Sequence, residues 1–319
     1  MIALSSRFAE ESSLELHSFL ESALAGALEP RLRDIDARDG LGEYRPQRIP
    51  PHTSGTDGEW SLKGPPHKWR YCVLTTLPEN AKKVEAVSPR AHASSPEEIM
   101  RSLQNELFPS AAFRAWLSFV TRLIPMKHAV EARRFRPGLD YTLATSEEKD
   151  SRLDVVLGLT PPVRDPVESS DEDDDGSRAG SRQTTRKLGK EADRGWITAE
   201  WGGWECYMAP HNEEDDPAIY RSSTHKGEGT SRDPHLTSSK RDPSSFQSPS
   251  PSHYSTHGDS SDGPEEEDST LLTVQPGYNR LLLVLRDERV MRFVKYVSAA
   301  ADGSRWDVCG EYEVGMLEE

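Results

Sequence analysis

YNRLLLVLRDERVMRFVKYVSAA, the stretch from Tyr278 to Ala300, decides the fold. Two runs rich in Leu, Val and aromatic residues flank a charged Asp-Glu-Arg, a pattern that predicts two β-strands joined by a turn. The neighbouring text follows the same pattern. "RRFRPGLDYTLAT", "RLDVVLGLTP", "GGWECYMAP", "LLTVQPG" and "RWDVCGEYEV" are short β-branched or aromatic runs punctuated by Pro, Gly and Asp, as in antiparallel strands. A further strand is expected at the end of "GPPHKWRYCVLT", Gly64 to Thr75.

A helical block precedes these strands. In "SSLELHSFLESALAGALE", Ser12 to Glu29, the residues Leu14, Leu16, Phe19, Leu20, Ala23, Leu24 and Leu28 fall at near-helical spacing, with Ser12 or Ser13 as N-cap. Ser95-Pro96-Glu97-Glu98 combines a cap, proline at the first helical position and Glu three residues after the cap, so a helix should run to about Leu107. Ser110 then caps "AAFRAWLSFVTRLI", whose apolar face is Phe113, Trp116, Leu117, Val120, Leu123 and Ile124. Strands following helices in this way predict an α+β, mainly β domain whose sheet closes into a barrel or sandwich.

Two segments interrupt the strands. Residues 164–194 carry "SSDEDDDGSRAGSRQTTRKLGK", and residues 211–270 are rich in Ser, Pro, Asp and His. Ordering either would cost about 1–2 kcal/mol per residue in backbone entropy with little apolar burial in return. The expectation is one domain over 1–319 with two disordered insertions. The whole chain agrees: of 319 residues only 34% are hydrophobic, with 23 Pro and 22 Gly.

A net charge of −15 repels phosphates and argues against a broad nucleic-acid surface. Cys72, Cys206 and Cys309 form no CxxC pair and predict free thiols in a reducing compartment. The start, "MIALSSRFAEESS", meets acidic residues before any long apolar run, and no stretch approaches the roughly 18 apolar residues of a membrane span. The expected location is nuclear or cytoplasmic, away from membranes.

"LFPSAAFRAWLSFVTRL", "RRFRPGLDYTLA", "LDVVLGLTP", "GGWECYMAP" with "DPAIYR", and the run from Leu271 to Gly315 together resemble the C-terminal domain of the fungal ribosomal prolyl 3,4-dihydroxylase family. These are 2-oxoglutarate- and Fe(II)-dependent oxygenases whose C-terminal half is called the oxoglutarate/iron-dependent oxygenase degradation domain. The resemblance runs from about Phe8 to Gly315 outside the insertions. It implies a double-stranded β-helix, jelly-roll or cupin-like, with N-terminal packing helices. It also implies a two-domain parent. There an N-terminal domain uses Fe(II), 2-oxoglutarate and ascorbate to hydroxylate a prolyl residue of a small-subunit ribosomal protein. The C-terminal domain lacks the metal and, in oxygen-sensing members, promotes degradation of a sterol regulatory transcription factor. Only the second domain is matched here. The partners so implied are proteins: a catalytic-domain-like protein, or a ribosomal or transcription-factor substrate.

Such an oxygenase holds iron with two His and one carboxylate, leaving coordination positions open for cosubstrate and oxygen. Aligned on the resemblance, with Asp140 on the acidic residue that often precedes the motif, its His-x-Asp falls near Thr145 and Glu147, and its distal His near Arg292. A guanidinium stays protonated and donates no lone pair to a metal. The site is therefore expected to be vacated, with no cofactor held by this chain. Two literal His-x-acid sequences remain, His211-Asn212-Glu213 and His257-Gly258-Asp259, both in low-complexity text, and no histidine follows His257. The alternative reading, an active 2-oxoglutarate- and iron-dependent peptidyl-proline dioxygenase, would have to build its iron site from such loop histidines. His225, His235 and His253 suggest only weak, adventitious metal capture.

Other chemistries find no motif: the chain has no GxSxG, P-loop or GxGxxG after a strand. Cys72 and Cys309 lie in apolar runs and Cys206 between Glu205 and Tyr207, which predicts buried, inert thiols. His67, in "PPHKWRY", reads as a structural or surface histidine. For partner binding two groups stand out. Trp201, Trp204 and Tyr207 have the aromatic density of a recognition groove, set against the simpler reading that alternate residues are core. Arg289, Arg292 and Lys295 form a basic strand suited to a carboxylate or acidic partner segment, set against an ordinary solvated face. Ser169 and Ser170 precede carboxylates, as acidophilic kinases prefer, and "RKLGK", Arg186 to Lys190, is too short for a nuclear signal.

Overall fold

The computed structural model describes residues 2–75, 95–144, 151–163, 195–209 and 270–316. Residues 1–210 and 270–319 form one compact unit; the second unit, 211–269, lies outside the described residues, as do 164–194, Thr145 and Glu147. The helices are α1 (Ile2–Glu11), α2 (Ser22–Arg38), α3 (Pro96–Ser102), which continues as a π-helical turn over Leu103–Leu107, and α4 (Ala111–Thr121). The strands are β1 (Ser13–His17), β2 (Trp60–Lys63), β3 (Trp69–Leu74), β4 (Leu123–Phe135), β5 (Tyr141–Thr142), β6 (Arg152–Leu159), β7 (Glu205–Met208), β8 (Thr270–Val274), β9 (Tyr278–Arg286), β10 (Met291–Val294) and β11 (Arg305–Met316).

Among the described residues every ladder is antiparallel. The main sheet runs β1-β9-β6-β11-β4-β3-β2, with β5 paired to β3, and a small sheet runs β10-β7-β8. From β4 onward the chain passes between the two: β4, β6, β9 and β11 are neighbours in the main sheet, while β7, β8 and β10 make the small one. That path is the predicted double-stranded β-helix. The stretch Tyr278–Ala300 supplies one strand to each sheet, β9 and β10, through a turn in which Arg289 has φ 64°.

Both faces of the main sheet are covered. Leu153, Val155, Leu157, Leu281, Leu283 and Val308 pack with Leu28, Leu32, Phe113 and Leu117 of the helices. The opposite parity, Val156, Leu282, Val284 and Cys309, meets Tyr207 of the small sheet. A strand buried on both sides has no polar side to alternate with, which is why "LDVVLGL" and "RLLLVL" are continuous apolar runs.

Ser95 forms the full capping box with Glu98 and Ser110 accepts from the Phe113 amide, as predicted, whereas the cap expected at Ser12 or Ser13 is absent and Glu21 caps α2 instead. Two expectations change. The helix read from Ser12 to Glu29 is a strand followed by a helix: Ser13–His17 pairs with Val284–Arg280 of β9, and only from Ser22 does the chain turn helical. "SLELH" fits period 2 as well as a helix, and the open edge of β9 decides between them. Leu123 and Ile124 begin β4 instead of ending α4, because Arg122 takes the left-handed conformation, φ 61°, and stops the helix.

A buried knot ties α2 to the sheet. The Asp36 carboxylate accepts hydrogen bonds from Arg134 Nη2 (2.8 Å), the Ser304 amide (2.7 Å), Ser304 Oγ (2.6 Å) and Trp306 Nε1 (3.3 Å). Arg134, fully buried, also reaches Asp39 Oδ2 at 2.6 Å and lies 4.5 Å over the Trp306 ring. Gly202 marks a second tight point: its φ is 63°, and a Cβ there would sit 2.1 Å from the Tyr296 carbonyl oxygen. Gly202→Ala is expected to lower stability by about 1–3 kcal/mol in urea unfolding; an unchanged midpoint would mean the two loops separate freely. Among the described residues no helix is long and apolar enough to cross a membrane.

Candidate functional site

The inner side of the main sheet is apolar at Val156, Leu282 and Val284 and then becomes ionic. Strand periodicity puts Asp154 two positions from Val156 on β6, and Asp307, Cys309 and Glu311 on one face of β11. Arg133 on β4 and Arg286 on β9 join them, and the small sheet contributes Glu205, Tyr207 and Arg292.

Arg292 is the centre of this cluster. Its side chain is 7% exposed, with Nη1 3.2 Å from Asp154 Oδ2 and 3.1 Å from Glu311 Oε1. Nε and Nη2 bond Glu205 Oε1, Nη2 donates to Cys309 Sγ at 3.2 Å, and the guanidinium stands 5.7 Å over the Tyr207 ring. Arg305 joins Glu205 (3.0 Å) to Asp307 (2.9 Å), and Arg133 holds Asp307 in a two-point pair at 2.7 and 3.1 Å. Arg286 Nε lies 3.1 Å from Asp154 Oδ2. Asp154 and Glu311 are direct cross-strand partners, a like-charge pairing that is tolerable because Arg286 and Arg292 stand by both.

The electrostatics follow from burial and these partners. Burial opposes charge on Arg292, but Asp154, Cys309 and Glu205 outweigh it and hold the guanidinium charged well beyond its ordinary range. Burial would likewise raise Glu205, yet Arg292, Arg305 and Arg133 bring it down to about 2. For Asp154 burial prevails over the pull of Arg292 and Arg286 and pushes the carboxyl up to about 6. A cavity of about 250 Å³ opens beside the cluster, with Lys63, Trp69, Tyr71 and Glu131 at its outer wall. There Tyr71 donates to Glu131 Oε2 at 3.0 Å.

The structure scatters the six candidate partner-binding residues. Trp201 and Tyr207 are 2% and 1% exposed, and Arg292 is spent on internal carboxylates, so none of the three offers a surface. The physical reason is the parity of β7 and β10, which turns Tyr207 and Arg292 into the space between the sheets. Trp204 is half-buried against Phe293, 5.5 Å between rings, with Lys295 Nζ 5.7 Å from its ring; Lys295 and Arg289 are exposed. His67 is exposed. His211, Asn212, Glu213, His225, His235, His253 and His257 lie outside the described residues. Sequence reasoning missed Asp154, Glu205, Asp307 and Glu311. Their signal was a carboxylate inside a strand too apolar to be solvated, as in "LDVVLGL".

Cys72, Cys206 and Cys309 are free and buried. Burial pushes the Cys309 thiol up to about 11 against Arg133 and Arg292, and Cys72 also to about 11. A thiol-exchange reagent at pH 8 is therefore expected to label the native protein far more slowly than the urea-unfolded chain. Labelling of Cys309 at the unfolded rate would show that the interior opens to solvent.

An iron ion needs donors with free lone pairs facing open coordination positions. Here the carboxylates nearest Arg292 already face guanidinium groups, and Arg292 itself has no lone pair to give. Among the described residues no group of three or more His, Cys, Asp or Glu is placed to hold a metal ion. The described residues around Arg292 do not fit iron.

Two antiparallel sheets, linked by a chain that passes between them, define a jelly roll. The family model described as oxoglutarate and iron-dependent oxygenase degradation C-term matches residues 1–319, and the chain belongs to that family. It is 25% identical over 307 residues to a prolyl 3,4-dihydroxylase, OGFOD1, of Ostreococcus tauri, covering 96% of this chain and 43% of that protein. The chain thus spans less than half the length of this relative. Among solved structures, a Pseudomonas putida prolyl-4-hydroxylase aligns with a TM-score of 0.40 at 10% identity, covering 98% of this chain and 97% of that one. A Trichoplax adhaerens prolyl hydroxylase, solved with a peptide of a hypoxia inducible factor oxygen degradation domain, aligns at 0.36 and 8%, covering 97% and 87%.

Proposed function

We propose that this chain is a non-catalytic member of the prolyl-hydroxylase family, acting as a protein-interaction and regulatory module. The observation that carries this reading is the Arg292 guanidinium, fixed by Glu205, Asp154 and Glu311 near where the resemblance implies the distal metal ligand. An ionic cluster of this kind links the two sheets, and among the described residues its carboxylates face guanidinium groups instead of open coordination positions. In this reading the chain holds no Fe(II), 2-oxoglutarate or ascorbate. Its partners are a catalytic oxygenase domain and proteins of translation or of oxygen-dependent transcription-factor turnover, in the nucleus or cytoplasm.

Anaerobic calorimetry with Fe(II), with and without 2-oxoglutarate, tests the proposal. No saturable iron binding is the expected result. A single iron site tightened by 2-oxoglutarate would overturn it and establish the chain as a dioxygenase.

A further inference from the structure

We infer that a cavity at the C-terminal end of α2 binds a basic peptide segment of a partner protein. This deepens the interaction-module reading, on which it rests, by naming the chemistry of the partner.

The cavity measures about 260 Å³, near the lower end of ligand pockets, which run roughly 300–1,000 Å³, and suits one or two long side chains better than a folded surface. It lies away from the Arg292 cluster, between α2, the loop that follows it, the end of β6 and the start of β11. Two arginines, Arg33 and Arg45, line it against four carboxylates, Asp34, Asp36, Glu43 and Asp302. Both arginines are engaged. Arg33 pairs with Glu29 at 3.0 Å and donates to the Pro162 carbonyl; Arg45 donates to the carbonyls of Gly42, Arg48, Ala299 and Ala301. Asp36 is held by Arg134. Asp34 and Glu43 are exposed at the wall.

Two further features carry the same sign. Ala37 and Gly40 bring the C-terminal end of α2 to the cavity, where the helix carbonyls concentrate partial negative charge. Tyr44, 91% exposed, offers an aromatic face at the rim, over a lining that includes the buried Trp196 and Trp201. Carboxylates, a helix C-terminus and an aromatic face all favour a lysine or arginine side chain, whose aliphatic stem packs on the Tyr44 ring while its charge meets the acids.

Fluorescence anisotropy with a labelled peptide of alternating lysine and alanine, at physiological salt, tests this. Saturable binding is expected, weakened about tenfold by Asp34→Asn with Glu43→Gln and by Tyr44→Ala. It should be unchanged by Asp287→Asn with Glu288→Gln, which removes the same charge from the exposed β9–β10 turn. Equal weakening by the two double variants would reduce the effect to net charge and overturn the site, as would absence of saturable binding. If Arg186→Gln with Lys187→Gln tightens the peptide, the occupant is the chain's own basic run, and the partner assignment fails. Failure here without iron binding leaves the interaction-module reading standing; an iron site removes that reading whatever the peptide does.

Discussion

Arg292→Ala is expected to destabilise the protein by about 3–5 kcal/mol in urea unfolding at pH 7. The substitution removes one guanidinium and leaves Glu205, 2% exposed, and Asp154, fully buried, with part of their compensation gone. Stranding a buried charge is far more damaging than never having buried it, and a loss of this size is a large share of the 5–15 kcal/mol typical of a whole domain. Lysine should not rescue it, because a single ammonium cannot reach Glu205, Asp154 and Glu311 together. Glu205→Gln in the Arg292→Ala background should recover part of the loss, since it removes the stranded charge. A loss below about 1 kcal/mol would mean that water, not Arg292, solvates these carboxylates.

The same cluster sets the acid response. Glu205 has its folded-state value depressed from 4.5 to about 2. Its contribution is therefore complete above pH 4.5 and is lost as pH falls from there towards 2. Asp154, raised from 3.8 to about 6, acts in the opposite sense: its folded form takes up a proton first, so its part of the stability increases as pH falls from 6 to 3.8. Arg292→Ala should weaken the acid loss carried by Glu205, because Arg292 is the largest of the attractions that depress it.

Asp36→Ala is the second large effect, expected at about 3 kcal/mol or more. Asp36 serves four donors on two elements, and its removal leaves the fully buried Arg134 with Asp39 as its remaining ion-pair partner among the described residues. Asp36→Asn is expected to be nearly as harmful. Every partner of Asp36 is a donor, and an amide turns half of the acceptor into another donor. Because the knot joins α2 to β4 and β11, thermal melts should show loss of helix and sheet together. A melt in which helix signal alone falls early would show that α2 docks independently of it.

Much of this architecture is local in origin and was legible as text. Ser95 with Glu98, and Ser110 ahead of Phe113, satisfy helix-end amides a few residues away, so each cap can be read without knowing the rest of the molecule. The strand runs of β6, β9 and β11 declare themselves by composition, and the resemblance they carry led to the jelly roll and to the expectation that Arg292 stands near the distal metal ligand. "SLELH" became a strand only because β9 presented an open edge more than 250 positions away. The same limit applies to the site. Tyr207 and Arg292 turn inward because β7 and β10 pair with each other and face the main sheet, so the text alone left them readable as surface. What neutralises Arg292 comes from Glu205, 87 positions away, and from Asp154 and Glu311 on two other strands. The sequence by itself determined the core strands β6, β9 and β11, the caps at Ser95 and Ser110 and the absence of an imidazole at position 292. Tertiary structure alone decided that the guanidinium there is buried and paired, because that depends on which strands the chain brings face to face.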